Sequence, residues 1–185
     1  MILTFVTGNK RKFENARVFW ERKNIKIEQN AMETPEIQSH KAEEVAKFSA
    51  QFAANKLGKP AMKVDVGFYI DALKGFPGPF VKYINQWLKP ENILKMMENK
   101  ENRTCYFDDV VVLSFPNGKD IVCSYKTQGT ISHEVKGKNG WGADKIFIPK
   151  GATKTLAQMT DEERRDIWEN RHWKLLAKKL KECKI

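Results

Sequence analysis

The chain has 185 residues, 41% hydrophobic and 11% aromatic, enough for one sizeable core and short for two independent ones, so a single domain over 1–185 is expected. Cys105, Cys123 and Cys183 stand far apart with no Cys-x-x-Cys grouping or histidine pair nearby, which reads as neither a disulfide framework nor a zinc site and points to a reduced, cytoplasmic setting. The formal charge of +10 raises nucleic acid as a partner, but Lys174, Lys178, Lys179, Lys181 and Lys184 gather near the end of a predicted helix, where cations suit the helix dipole and a solvated face; that reading is preferred, with nucleic acid or an acidic protein as the alternative.

In chain order, Ile2 to Val6 is a short apolar strand stopped by Thr7-Gly8-Asn9, and Phe13, Ala16 and Trp20 then recur at helical spacing. The apolar opening is too short for a signal peptide, and no later stretch is long enough to span a membrane. Ile25 to Glu28 alternates as a second strand, Pro35-Glu36-Ile37-Gln38 forms a loop, and Ala42, Val45, Ala46, Ala50, Ala53 and Leu57 outline an amphipathic helix that Gly58 ends.

Met62 to Val66 predicts a strand leading into Gly67, and Gly75-Phe76-Pro77-Gly78-Pro79 forces a turn. Short helical patterns flank Pro90. From Thr104 to Ser132, β-branched and aromatic residues surround Pro116-Asn117-Gly118-Lys119, a hairpin signal because Asn-Gly accepts positive φ. After the loop Lys138–Asp144, Ile146–Ile148 reads as a short strand. A single final helix follows, its start marked by the capping-box pair Thr160 and Glu163.

Thr7-Gly8-Asn9 before a basic helix start suits a phosphate: helix N-terminal N–H groups point outward, glycine admits close approach, and Lys10, Arg11 and Lys12 add charge. Taken alone, such a turn is more often only a turn. His40, His133 and His172 lack metal spacing and read as surface or packing residues, while Trp141, Trp168 and Trp173 are open to core, interface or recognition roles.

Several motifs together carry a resemblance. Thr7-Gly8-Asn9-Lys10-Arg11-Lys12, Pro35-Glu36-Ile37-Gln38, Asp65 with Ala72-Leu73-Lys74-Gly75-Phe76-Pro77-Gly78, Gly140-Trp141-Gly142-Ala143-Asp144, and Thr155-Leu156-Ala157-Gln158-Met159 follow one another in this order. The series resembles the inosine triphosphate pyrophosphatase family, the HAM1-like enzymes that act on deaminated purine nucleoside triphosphates. The resemblance implies an elongated α/β fold with a curved mixed sheet, two lobes, a nucleotide cleft between them, and usually a homodimer. It also implies binding of ITP, dITP or XTP with Mg²⁺, and release of the monophosphate and pyrophosphate by an activated water. Carried over by position, Thr7, Gly8, Asn9 and Lys12 would hold the triphosphate, Glu36 and Asp65 the metal, with Asp65 also the catalytic base. Trp141, Gly142, Asp144, Arg164 and Arg171 would face the purine.

The chain departs from that pattern at the metal. The family's Glu-Asp-Ser/Thr-Gly is Val64-Asp65-Val66-Gly67, and valine neither coordinates Mg²⁺ nor orders a water, so the ion is expected to be held weakly. Loss of a carboxylate also removes repulsion against a polyanion, so binding can outlast chemistry. At the base-reading end an aromatic is replaced by Ala143 and a proline by Lys145, and the C-terminal motifs have become Glu163-Arg164-Arg165 and, one residue out of step, Glu169-Asn170-Arg171. Two readings follow. The preferred one is a binding protein with weakened or lost hydrolysis, a pseudoenzyme that senses a nucleotide for a partner effector docked on the aromatic, basic C-terminal helix, antiviral defence being one setting. The other is an active Mg²⁺-dependent pyrophosphatase.

Overall fold

The structure, a computed structural model, describes residues 2–168 and 170–183, with the backbone alone for Arg165 and Asp166. Glu169, Lys184 and the Arg165 side chain, all drawn into the sequence reading, lie outside the described residues. The elements are β1 (Ile2–Val6), α1 (Lys10–Glu21), β2 (Lys26–Asn30), α2 (Ala42–Leu57), β3 (Ala61–Ile70), β4 (Pro77–Gly78), α3 (Val81–Trp87), α4 (Pro90–Met96), β5 (Thr104–Ser114), β6 (Asp120–Ile131), β7 (Phe147–Pro149), α5 (Asp161–Trp168) and α6 (Arg171–Glu182). The strands form one mixed sheet in the order β2-β1-β3-β5-β6-β7, with β4 paired to β3, so the α/β class and mixed sheet expected from the sequence are present. The chain divides into two compact units. The first comprises the chain up to Asp65, Asp109–Tyr125 and the stretch from Asn170; the second comprises Val66–Asp108 and Lys126–Glu169.

The first unit follows from strand alternation. Leu3, Phe5, Met62, Val111 and Leu113 share one face and bury against Ala16 and Trp20 of α1 and Trp173, Leu176 and Leu180 of α6. Trp173 meets Phe5 edge-on at 5.4 Å and Trp20 at 5.9 Å, which locks the start of α6 onto β1 and α1. The opposite face takes α2, whose alanines allow close approach: Ala42, Ala46 and Ala50 lie on Val110 and Val112, and Ala53 and Ala54 on Val6 and Ala61. Gly58, left-handed at φ 64°, ends α2 where the sequence places its stop.

The second unit is built on Phe68, Ile70, Phe107, Phe147 and Leu156, with Phe68 and Phe107 stacked at 4.4 Å. β3 does not stop at Gly67. It runs on to Ile70 because Phe68 and Ile70 feed this core on one face while the Tyr69 ring covers Gly67 on the other. The last strand is Phe147–Pro149, one residue later than predicted, with Ile131 paired to Phe147. The expected single C-terminal helix is two, because Asn170 adopts the left-handed conformation at φ 50° and breaks the path.

Candidate functional site

The turn after β1 is held by its own side chains. Thr7 Oγ1 accepts from the Asn9 N–H at 3.1 Å, and Asn9 Oδ1 accepts from the Lys12 N–H at 3.0 Å, capping α1. Gln29 donates to the Thr7 carbonyl at 2.9 Å, and the Thr7 N–H donates to the Asn30 carbonyl at 2.9 Å, so β2 fixes the turn from outside. With both oxygens engaged as acceptors, the Thr7 hydroxyl proton and the Asn9 side-chain N–H groups can still donate outward. Gly8 is exposed, and a Cβ built there would meet nothing within 4 Å. The protein's own packing does not demand that glycine.

β1 and β3 are parallel, with Phe5 level with Met62, so the register carries the turn to the level of Val64 and Asp65. Lys63 donates to Thr34 Oγ1 at 3.0 Å, and Ser49 of α2 donates to the Pro35 carbonyl at 2.9 Å. These two anchors place the loop carrying exposed Glu36 on the Lys63 face of β3, the face Asp65 shares by alternation. Val64 and Val66 point the other way. Both are half-buried, Val64 against the first unit's Trp173 core and Val66 against the second unit's phenylalanine core. At these two positions the chain carries packing groups.

Arg171 opens α6 and lays its guanidinium over the Tyr125 ring at 4.9 Å, with a hydrogen bond to the Tyr125 hydroxyl. The next residue, His172, packs against Trp173 with ring centroids 4.7 Å apart and the planes tilted by 47°. Burial and the charge of Lys12 push its pKa down to about 4, so it is neutral at pH 7 beside the lysine of the turn. The sequence offered His172 only as surface or packing.

In the second unit the Gly140–Asp144 loop is tied down along its length. Lys138 and Asn139 N–H groups donate to the Ala157 carbonyl, each at 3.0 Å, and the Asn139 side chain donates to the Met159 carbonyl at 2.8 Å. The Thr155–Met159 motif is thus the loop's clamp. Asp144 Oδ2 accepts from the Trp141 N–H and from Arg164 Nη2, both at 3.1 Å, with the two charged side chains only 14% and 18% exposed. Arg164 is carried by α5, whose start is fixed by the predicted capping box: Thr160 N–H to Glu163 Oε2 at 2.8 Å and Glu163 N–H to Thr160 Oγ1 at 3.2 Å. The Trp141 indole is 54% exposed. Trp173, at 4%, is core and not a docking anchor, and Trp168 packs on Phe107 at 5.1 Å; the exposed face of α6 carries Lys174, Lys178, Lys179 and Lys181 with Leu175 and Glu182. Thr7, Gly8, Asn9, Lys12, Glu36, Asp65 and Arg171 therefore belong to the first unit, and Trp141, Gly142, Asp144 and Arg164 to the second.

The turn after β1 and the Gly140–Asp144 loop are each fixed by hydrogen bonds within their own unit. The pattern described as the Ham1 family matches residues 3–181. This chain belongs to the Ham1 family. Among relatives of this Ham1 chain, the dITP/XTP pyrophosphatase of Pyrococcus horikoshii is 40% identical over 164 residues, 89% of this chain and 88% of the relative. That of Methanopyrus kandleri is 38% identical over 164 residues, 89% and 87% of the two chains. The structure of a HAM1 protein from Coxiella burnetii aligns with a TM-score of 0.87 at 25% identity, covering 98% of this chain and 99% of that one. The Staphylococcus aureus Ham1 protein, at 23% identity and TM-score 0.86 over the whole of both chains, shares the fold.

The three cysteines of this Ham1 chain are free thiols. Among the described residues no helix is long and apolar enough to cross a membrane, and no group of three or more His, Cys, Asp or Glu side chains is assembled for a metal ion. Glu36 and Asp65 are oxygen donors of the kind Mg²⁺ takes, which needs one or two carboxylates when phosphate oxygens and waters complete its shell. Sequence reading missed Lys63, Ser49, Gln29 and Tyr125, which act through folding partners remote in sequence.

Proposed function

We propose that this chain binds deaminated purine nucleoside triphosphates, dITP, ITP and XTP, and cleaves them to monophosphate and pyrophosphate at a rate weakened by the valines beside Asp65. The observation that carries the reading is the contrast along one stretch of sheet: the turn after β1 is preorganised by its own hydrogen bonds, while Val64 and Val66 pack against the apolar cores. Relatives named dITP/XTP pyrophosphatases, up to 40% identical, support the substrate class. The roles divide by unit. In the first, Thr7, Gly8, Asn9 and Lys12 hold the triphosphate, neutral His172 lies beside Lys12 without adding a negative charge, and Arg171 is the arginine offered to the purine. Glu36 and Asp65 would hold Mg²⁺, which when bound neutralises charge on the phosphates. Asp65 accepts the proton of the attacking water. In the second, Trp141 stacks on the purine, the Gly142 backbone lies beside it, and Asp144 with Arg164 presents a fixed polar edge.

The same valines favour a second reading in which hydrolysis is lost and occupancy itself is the output, read by a partner effector; antiviral defence is one setting for such a sensor. The test incubates purified protein and Mg²⁺ with dITP, ITP, XTP, dATP and dGTP, and follows pyrophosphate release and nucleotide retention together. Release confined to the deaminated purines, and slower than about one per second, is the expected result. Retention of dITP without release would select the sensor. Neither release nor retention would remove both readings.

A further inference from the structure

We propose that Asn85 is a specificity-determining residue that selects purines bearing a 6-oxo group and an N1–H over 6-amino purines. The inference rests on the reading that the Gly140–Asp144 loop faces the base.

Its first support is position. Val81 and Ile84 of α3 and its C-cap Leu88 pack on the second unit's core, and Asn85, half-buried, holds the i+4 place of that i, i+3, i+4, i+7 row, which a packing helix fills with apolar side chains. Val81 is buried, and Ile84 and Leu88 pack on the same cluster; Asn85, half-buried in the same row, is the one polar member. A carboxamide there forgoes apolar burial and must find hydrogen-bond partners.

Its second support is what it touches. A Cβ built on Gly142 would lie 2.2 Å from Asn85 Oδ1, 2.3 Å from Cγ and 2.8 Å from Nδ2, so the amide plane occupies the space a side chain at 142 would take. Gly142 is also left-handed at φ 50°. The neighbouring glycine repeats the device: a Cβ on Gly140 would lie 2.0 Å from Asp144 Oδ2 and 2.9 Å from Arg164 Nη2. Two glycines flanking exposed Trp141 thus admit a carboxylate, a guanidinium and a carboxamide. Asp144 and Arg164 neutralise each other, which leaves Asn85 as the neutral group offering a donor and an acceptor side by side.

That pair is complementary to one edge of a deaminated purine. Nδ2–H donates to O6, and Oδ1 accepts from N1–H. Adenine reverses both, with an acceptor at N1 and donors on N6, so a seated amide would face it with two mismatches; a site built to hydrogen-bond rejects the mismatched partner because its polar groups are left unsatisfied.

The test measures equilibrium binding of dITP, dATP and tripolyphosphate, each with Mg²⁺, to the wild type and to Asn85→Leu, Asn85→Asp and Trp141→Ala. Asn85→Leu completes the apolar row, so it should keep or raise the melting temperature while weakening dITP about ten- to hundredfold, with dATP and tripolyphosphate unchanged. Asn85→Asp keeps an acceptor for N1–H but loses the donor to O6, and should also lose dITP preference; it carries the test if the leucine variant fails to fold. If both Asn85 variants keep the dITP to dATP ratio while Trp141→Ala loses dITP, Asn85 is overturned and the loop reading stands. If Trp141→Ala also leaves dITP affinity unchanged, the loop reading falls and the inference with it.

Discussion

Gly8 and Gly142 are the same residue in two different roles. At Gly8 the missing side chain leaves open space, the residue is exposed, and nothing in the first unit moves in to fill it. At Gly142 the space is taken by the protein itself, by the Asn85 carboxamide. The first glycine leaves room for something outside the fold; the second seats a polar group inside it. Under the proposed function the first would serve a charge-dense phosphate, which needs access and amide donors, and the second a flat heterocycle, which needs a rigid, shaped edge.

The contrast can be broken most visibly at Gly142. Gly142→Ala drives a Cβ into the Asn85 amide and strains a left-handed residue, so chemical denaturation should show a loss of about 1–3 kcal/mol. In an Asn85→Ala background the same change should cost less, and an additive pair would mean the two do not share the space. Gly8→Ala should do the reverse. Its stability should stay within about 0.5 kcal/mol of wild type, while tripolyphosphate binding falls at least about tenfold from the lost approach; unchanged binding would show that the open space is not a phosphate site.

The smallest effect concerns the charge beside the turn. His172 has a folded pKa of about 4 against an ordinary 6.5, so the unfolded chain takes up its proton first as pH falls. The stability this histidine contributes is present above pH 6.5 and is lost progressively on the way down to pH 4. Melting temperatures of the wild type should therefore fall more steeply between pH 7 and pH 5 than those of His172→Phe. Equal slopes would place His172 in water and away from Lys12.

Much of this was legible in the chain because its signals are local. Thr7-Gly8-Asn9, the Asn117-Gly118 hairpin, the Gly58 stop and the Thr160–Glu163 box depend on neighbours within a few residues, and each is where its chemistry puts it. Gly118, at φ 81°, closes its turn with an N–H to the Phe115 carbonyl at 2.9 Å. What was not legible depends on remote partners. Nothing near Gly67 announces that Tyr69 will cover it and let β3 continue. Nothing near Asn85 says that it meets Gly142, and nothing near His172 says that it feels Lys12. Asn170 in the left-handed conformation divides a helix whose apolar spacing alone predicts continuity. The tryptophans show the same limit: helical spacing marks Trp173 as apolar-facing, but only tertiary contact with Phe5 and Trp20 decides core over docking surface.

The most direct test of the central claim, a triphosphate site whose chemistry is held back by its neighbouring valines, is the rate of pyrophosphate release from dITP with Mg²⁺ by the wild type and by Val64→Glu, with dITP affinity measured in parallel. Slow release by the wild type and a gain of at least about tenfold in the variant, about 1.4 kcal/mol of barrier, are expected, with dITP affinity little changed. Wild-type release at about ten per second, an ordinary enzyme rate, or a variant that binds dITP yet releases pyrophosphate no faster, would contradict the claim.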